Sequence, residues 1–228
     1  MLYPFFIALL TMGAVTCATP CDGSTFTFSE SDHGWTVDFT DYPVGEEDFF
    51  ELGWGWENLP LELSDLTKGL FLTGNNHSDD LFMYAKRQIG GLQPNTFYDL
   101  HYSILIESNV CSENSVGIGG SPGSSVFFKA GASREEPRKI AVNGYFLLNV
   151  DKGNQSEAGE NALMVGDLES ASPDPYFPKQ LTHTDPLRIQ SDDQGRLWIF
   201  LGTDSGFEGA TKFYIAKVDL QCEKVENF

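Results

Sequence analysis

Acids, amides and an imidazole crowd into one short stretch of this chain, TGNNHSDDLFMY, from Thr73 to Tyr84. Gly74 to Asp80 are all polar or conformationally permissive. Asn75, Asn76, His77, Asp79 and Asp80 carry groups that hydrogen-bond hydroxyls, and the carboxylates are of the type that ligates hard cations. A second Gly/Asp-rich stretch, TDSGFEG (203–209), contributes Asp204 and Glu208. Neither stretch has EF-hand spacing, which needs oxygen ligands at positions one, three, five and twelve and glycine at six. Counted from Asn75, Asp80 stands where glycine belongs and Lys86 where the last Glu belongs; counted from Asp204, the twelfth residue is Ile215. An irregular calcium cage using Asp204 and Glu208 stays open, beside the plainer reading of Asx-rich turns serving local N–H groups. The expectation is that residues 74–80 bind a polar ligand and meet residues 203–208 in one acidic concavity.

Other patterns fail as catalytic motifs. GGSPG (119–123) matches a nucleophile elbow around Ser121, but Pro122 lacks the N–H that would serve the oxyanion hole. Asp204-Ser205-Gly206 resembles the triplet around a serine nucleophile, yet the chain ends 22 residues after Gly206, and no histidine sits in a partner motif. Glycoside cleavage needs two carboxylates across one bond. The acidic runs Glu46, Glu47, Asp48, Glu51 and Glu135, Glu136 read better as solvated surface. Trp54 and Trp56 are two apart, so a strand would put both indoles on one face, either as core or as a stacking platform for sugar rings.

These residues need a scaffold, and the strand signals supply one. TFTFS (25–29), WTVDF (35–39), LFLT (70–73), LFMYAKRQ (81–88), residues 96–107, SVFFKA (125–130), residues 139–150, RLWIFLG (196–202) and residues 211–220 mix aromatic and β-branched residues with polar ones. Gly/Pro/Asp turns such as GGLQPN, GSPGS, SDDQG and SGFEG separate them. No 3.6-residue period is sustained, and ENLPLELSDLTKG (57–69) has room for one helical turn. The pattern predicts an all-β, antiparallel sandwich with at most one or two short helical turns. Alternation assigns Trp35, Phe39, Tyr98, Leu100, Tyr102, Ile104, Phe127, Phe146, Trp198, Phe200, Phe213 and Ile215 to the core.

Two segments carry a resemblance. GLQPNTFYDLHYSILIES (91–108) and TKFYIAKVDL (211–220) resemble strands of jelly-roll carbohydrate-binding modules and galactose-binding-like domains. The resemblance implies a jelly-roll-like fold and a sugar-type ligand. It departs at Ala216 and Lys217, where such closing strands often carry an acidic calcium ligand.

Composition narrows the partners. Lys and Arg total 14 against 33 Asp and Glu, a formal net charge of -19, which disfavours nucleic acid and anionic membranes. Residues 1–18 are uncharged and largely apolar, which predicts a signal peptide cleaved after Ala18, with 19–228 as one domain. A lipid on Cys17 would be the one membrane anchor, although Ala14 and Thr16 fit that motif poorly. Secretion permits disulfides, and Cys21 with Cys222 would close nearly the whole mature chain. The sequons at Asn76 and Asn154 would matter in a eukaryotic secretory host. The function expected is a secreted, non-catalytic protein that binds glycan or another polyhydroxyl ligand through Trp54, Trp56 and residues 75–80, with calcium as the one cofactor. The alternatives are a secreted polysaccharide hydrolase or lyase using Asp79, Asp80, Asp204 or Glu208, and a structural or adhesive envelope protein.

Overall fold

The computed structural model describes residues 23–112 and 116–226. The signal-peptide expectation, Cys17 and Cys21 therefore lie outside the described residues. The strands are β1 (Ser24–Thr27), β2 (Thr36–Thr40), β3 (Tyr42–Pro43), β4 (Gly53–Leu63), β5 (Leu66–Asn75), β6 (Leu81–Ile89), β7 (Phe97–Ser108) and β8 (Val126–Ser133). They continue as β9 (Lys139–Val142), β10 (Tyr145–Leu148), β11 (Ala162–Asp167), β12 (Phe177–Thr182), β13 (Leu187–Gln190), β14 (Leu197–Ser205) and β15 (Ala210–Lys224).

Two antiparallel sheets face one another, as expected for a jelly-roll-like sandwich. One runs β12-β7-β15-β5-β4, with β1 added to β15 and β13 to β7; the other runs β11-β8-β14-β6-β2. A small third sheet, β3-β10-β9, borders the second. No helix among the described residues is long and apolar enough to cross a membrane.

Period-two burial builds the core. Tyr98, Leu100, Tyr102, Ile104 and Ile106 of β7 face Leu197, Ile199 and Leu201 of β14 and Val126, Phe128 and Ala130 of β8 across the sandwich. In β15 the inward residues are Phe213 and Ile215, then Val218 and Leu220. A bulge between Ile215 and Lys217 shifts the phase by one residue.

Most of the expected core is buried, with two residues out of phase and two out of place. Phe127 and Trp198 are half-buried because their neighbours Phe128, Leu197 and Ile199 take the inward positions. Phe146 is half-buried and packs on Tyr42 from the small sheet, ring centroids 5.4 Å apart. Phe200 is buried, but on the outer face of its sheet, in a second cluster with Phe82 and Tyr84 that Leu148 and Val150 cover.

Two local expectations are corrected. Residues 57–69 hold no helical turn: they form the β4–β5 hairpin, and Pro60 is tolerated because β4 is an edge strand. The helical turn lies instead at Glu46–Glu51, where the Phe50 N–H donates to the Glu46 carbonyl at 3.0 Å. Residues 139–150 are a hairpin rather than one strand. Asn143 (φ 51°) and Gly144 (φ 86°) make the two-residue turn whose twist matches the flanking strands.

Candidate functional site

The two polar loops meet, and an amide holds them together. β5 ends at Asn75 and β15 begins opposite it at Ala210, so residues 76–80 lie against residues 203–209. Asn76 is 2% exposed; its Nδ2 donates to the carbonyls of Ser205 and Phe207, both at 2.9 Å. Its Oδ1 accepts from the Ser78 N–H at 3.1 Å, closing an Asx turn. Asn75 Nδ2 donates to Glu51 Oε1 at 2.9 Å. Asp79 takes a left-handed backbone (φ 60°), and its carbonyl accepts from Gln155 Nε2 at 3.1 Å. Gly119 fits here because a Cβ on it would lie 1.7 Å from the Gly206 carbonyl oxygen. Three expected ligand-binding residues, Asn75, Asn76 and Asp79, therefore spend groups on the protein itself, and the buried Asn76 amide offers no glycan acceptor.

Beneath the loops lies a charged cluster. Carboxylate oxygens of Asp41, Asp80 and Asp204 all fall within 4.8 Å of one another. Lys152 enters among them, with its Nζ 2.7 Å from Asp204 Oδ2 and 3.3 Å from Asp41 Oδ2. Asp204 Oδ2 also accepts from the Gln155 N–H at 2.8 Å. A buried second lysine, Lys129, donates to the carbonyls of Lys152 and Glu157.

Burial pushes the Asp80 carboxyl up to about 7, assisted by the charges of Asp204 and Asp41 and opposed by Lys152. Burial likewise lifts Asp41 to about 6. Burial works against the Lys152 ammonium, but Asp204 and Asp41 outweigh it and raise its pKa overall. Burial lowers Lys129 to about 8, with Asp204 opposing. Asp80 Oδ1 and Asp204 Oδ1 are buried and have no hydrogen-bond partner.

The three carboxylates could hold a metal ion, but Lys152 already places a cation among them. Calcium takes six to eight oxygens and would have to displace that ammonium. Glu208, the other expected metal ligand, is not in the cluster; its N–H donates to the Ile118 carbonyl at 3.0 Å.

Beside the cluster are two pockets, and sequence reasoning missed most of their walls. The first, about 350 Å³, is lined by Pro43, Glu46, Phe49, Phe50, His77 and Tyr145, with Ser78 alongside. Phe49 and His77 stack with centroids 4.1 Å apart and planes at 23°. Phe49 is 56% exposed and Tyr145 46%. The second pocket, about 230 Å³, is walled by Asp41, Asp80, Leu147, Asp151, Lys152 and Asn154 among others. Tyr145 and Leu147 are two apart on the exposed face of β10, so the pockets are neighbours along one strand, about 7 Å apart.

Trp54 and Trp56 share a face of edge strand β4, as their spacing predicted. They are opposite Leu72 and Leu70, and are 47% and 36% exposed. The Trp56 indole N–H donates to the Phe28 carbonyl at 2.6 Å, and the Lys68 ammonium sits 4.0 Å from its ring centroid. Neither indole lines the two loop pockets. Cys111 is free and Cys222 is disulfide-bonded.

No protein-family model matches this chain, and no curated protein matches it. Solved structures do. The xylan-binding CBM22-1 domain of Paenibacillus barcinonensis Xyn10C matches over 92% of this chain and 99% of its own, at 12% identity and a TM-score of 0.42. The family 11 carbohydrate-binding module of Lic26A-Cel5E from Clostridium thermocellum matches over the same shares at 9% identity and 0.42. The enzymatically active domain of bacteriophage CBA120 tailspike protein 4 matches over 82% of this chain at 11% identity and 0.37, and this chain spans 19% of its length. At TM-scores this low, the fold stands on the strand ladders described above, and function has to stand on the residues.

Proposed function

We propose that this protein is a secreted, non-catalytic glycan-binding β-sandwich formed by residues 19–228, and that its site is the groove along β10. One observation carries the reading: the pocket where the stacked Phe49–His77 pair and the exposed Tyr145 stand beside Glu46. Aromatic faces take the C–H face of a sugar ring, while carboxylate and imidazole groups take its hydroxyls. The adjoining pocket at Leu147, Asp151 and Asn154 gives a linear glycan a second unit of length. Trp54 and Trp56 lie outside this groove, on edge strand β4, where their half-exposed indoles add a second aromatic face able to stack on a sugar ring.

The hydrolase reading fares worse. The Asp41, Asp80 and Asp204 oxygens cluster within 4.8 Å around one lysine, and Asp204 is wholly buried, which speaks against Asp80 and Asp204 as an acid pair placed across a glycosidic bond. The apolar leader and the oxidised Cys222 support secretion, with Cys21 as the proposed partner. Lys152 supplies the cluster's cation, so calcium is secondary in this reading.

A glycan array followed by calorimetry tests it. The wild type should retain neutral glycans, and Phe49→Ala and Tyr145→Ala should each weaken binding about tenfold. A wild type that retains no glycan, or variants that bind as well as the wild type, would refute the reading.

A further inference from the structure

At the far end of β15 a third pocket, about 390 Å³, is lined by Gln93, Asn95, Thr96, Phe97, Gln190 and Lys224, with Val225 and Glu226 closing it. β15 has 15 residues, so this pocket lies about 45 Å along the sandwich from the loops that meet Ala210. Its chemistry differs from that of the groove. Two carboxamides are fixed by one guanidinium: Arg134 donates to Gln190 Oε1 at 2.8 Å and to Asn95 Oδ1 at 3.1 Å. Gln190 Nε2 donates to the Asn95 carbonyl at 3.0 Å.

The backbone beneath is tied down as well. Ser191 Oγ donates to the Gln93 carbonyl at 2.6 Å and accepts from the Thr96 N–H at 3.0 Å. The Leu92 N–H donates to the Gly195 carbonyl at 3.1 Å. Such bonding freezes the walls in advance and lowers the entropic cost of holding a ligand.

Charge and ring complete the set. Among the described residues Arg134 makes no ion pair, and its bonds to two neutral oxygens leave three of its five N–H groups free. Lys224 has only a loose pairing with Glu226, at 3.9 Å. Phe97 is 44% exposed at the pocket wall. Lys224 lines the pocket opposite Glu226, and Arg134 stands beside it, bonded to two of its lining amides, so in a chain of net charge -19 two weakly compensated cations flank one cavity. A guanidinium fork suits a carboxylate, amides suit hydroxyls, and a ring face suits sugar C–H groups.

We propose that this pocket is a second, independent ligand site selective for a carboxylate-bearing sugar unit, a uronate. Amide-resolved NMR titration of the mature domain with glucuronate, and separately with glucose, tests it. Glucuronate should shift the amides of Thr96, Phe97 and Gln190 while leaving those of His77 and Tyr145 in place. The shifts should weaken as salt is raised. Arg134→Gln should lower glucuronate affinity about ten- to a hundredfold, the loss expected for hydrogen bonds to a charged group. Phe97→Ala should lower it too, and Phe49→Ala should leave it unchanged. No shift at these amides with glucuronate, equal shifts with glucose, or an Arg134→Gln variant that binds glucuronate as the wild type does would overturn the proposal. Because Phe49 and Tyr145 lie in the other site, the fate of the groove is read separately from this result.

Discussion

The two ends of this sandwich use the same residue types for opposite purposes. Where β5 meets β15, Asn76, Asp41, Asp80, Asp204 and Lys152 turn inward and hold four segments of chain together. Where β7 meets the end of β15, Asn95, Gln190 and Arg134 lie at the surface and hold only one another. The difference is burial. An inward amide or charge must be satisfied by protein and becomes part of the fold, while an outward one keeps spare capacity for a ligand. A loop rich in Asn and Asp is therefore ambiguous until its depth is known.

The largest test of that contrast is Lys152→Met. Removing the ammonium leaves buried carboxylates without their cation, which should cost about 3–5 kcal/mol at pH 8. The loss should shrink toward pH 5, as Asp41 and Asp80 take up protons. The vacated cluster should then respond to calcium, raising the variant's melting temperature while the wild type stays insensitive. A wild type stabilised by calcium would show that the ion, and not Lys152, is the resident cation.

Asn76→Ala comes next. It takes the amide donor from the carbonyls of Ser205 and Phe207, the second of which keeps the Ser205 hydroxyl, and dismantles the Asx turn at Ser78, an expected loss of about 2–3 kcal/mol by chemical denaturation. A loss below about 0.5 kcal/mol would mean the loops are held by something other than this amide.

Proton linkage gives a smaller effect with a distinctive sign. Asp41 and Asp80 have folded pKa values raised to about 6 and about 7, so between the ordinary carboxylate range and those values the folded state binds more protons than the unfolded. Their contribution is fully present below that range and is lost as pH rises toward 7. Asp99, Asp151 and Asp192 are lowered, so theirs is lost as pH falls below the same range. Stability should peak near pH 4 to 5 rather than at neutrality. Asp80→Asn should flatten the decline and stabilise the protein at pH 8 by about 1–2 kcal/mol, less than the full shift implies because the side chain is not wholly buried. A melting temperature that climbs steadily from pH 5 to 8 would contradict the assignment.

Much of the scaffold was legible because alternation and turn chemistry are local. The period-two run at 97–107 and the strand at 81–88 are found where the sequence puts them, and the meeting of residues 74–80 with 203–208 followed from two polar loops each leading into a strand. The short strands β11, β12 and β13 were illegible. Residues 162–167 and 177–182 carry Gly, Pro, Lys and Gln, and they pair because β8 and β7 offer them an open edge. The groove was half legible. His77 and Asp80 were singled out, but Phe49, Tyr145 and Lys152 come from distant segments: Phe49 stacks on His77, Tyr145 is placed by the β3–β10 pairing, and Lys152 follows Leu148 and Val150, which cover the outer sheet face. An exposed Phe within an acidic run and a Tyr after an Asn-Gly turn were the available hints. The core miss at Phe127 and Trp198 was a one-residue error of phase, which period two cannot resolve when both neighbours are apolar.

The smallest expected effect sits at the opposite end. Arg134 is exposed, forms no ion pair among the described residues, and bonds only to two surface amides. Arg134→Gln should therefore change unfolding free energy by no more than about 0.5 kcal/mol. The contrast with Lys152→Met is the point: one cation is needed by carboxylates that are largely buried, while the other orients groups that water would satisfy anyway. Chemical denaturation of the two variants side by side measures the difference. If Arg134→Gln cost as much as Asn76→Ala, the amide pocket would be a structural clasp like the acid–lysine end, and its spare donors would have no claim to a ligand.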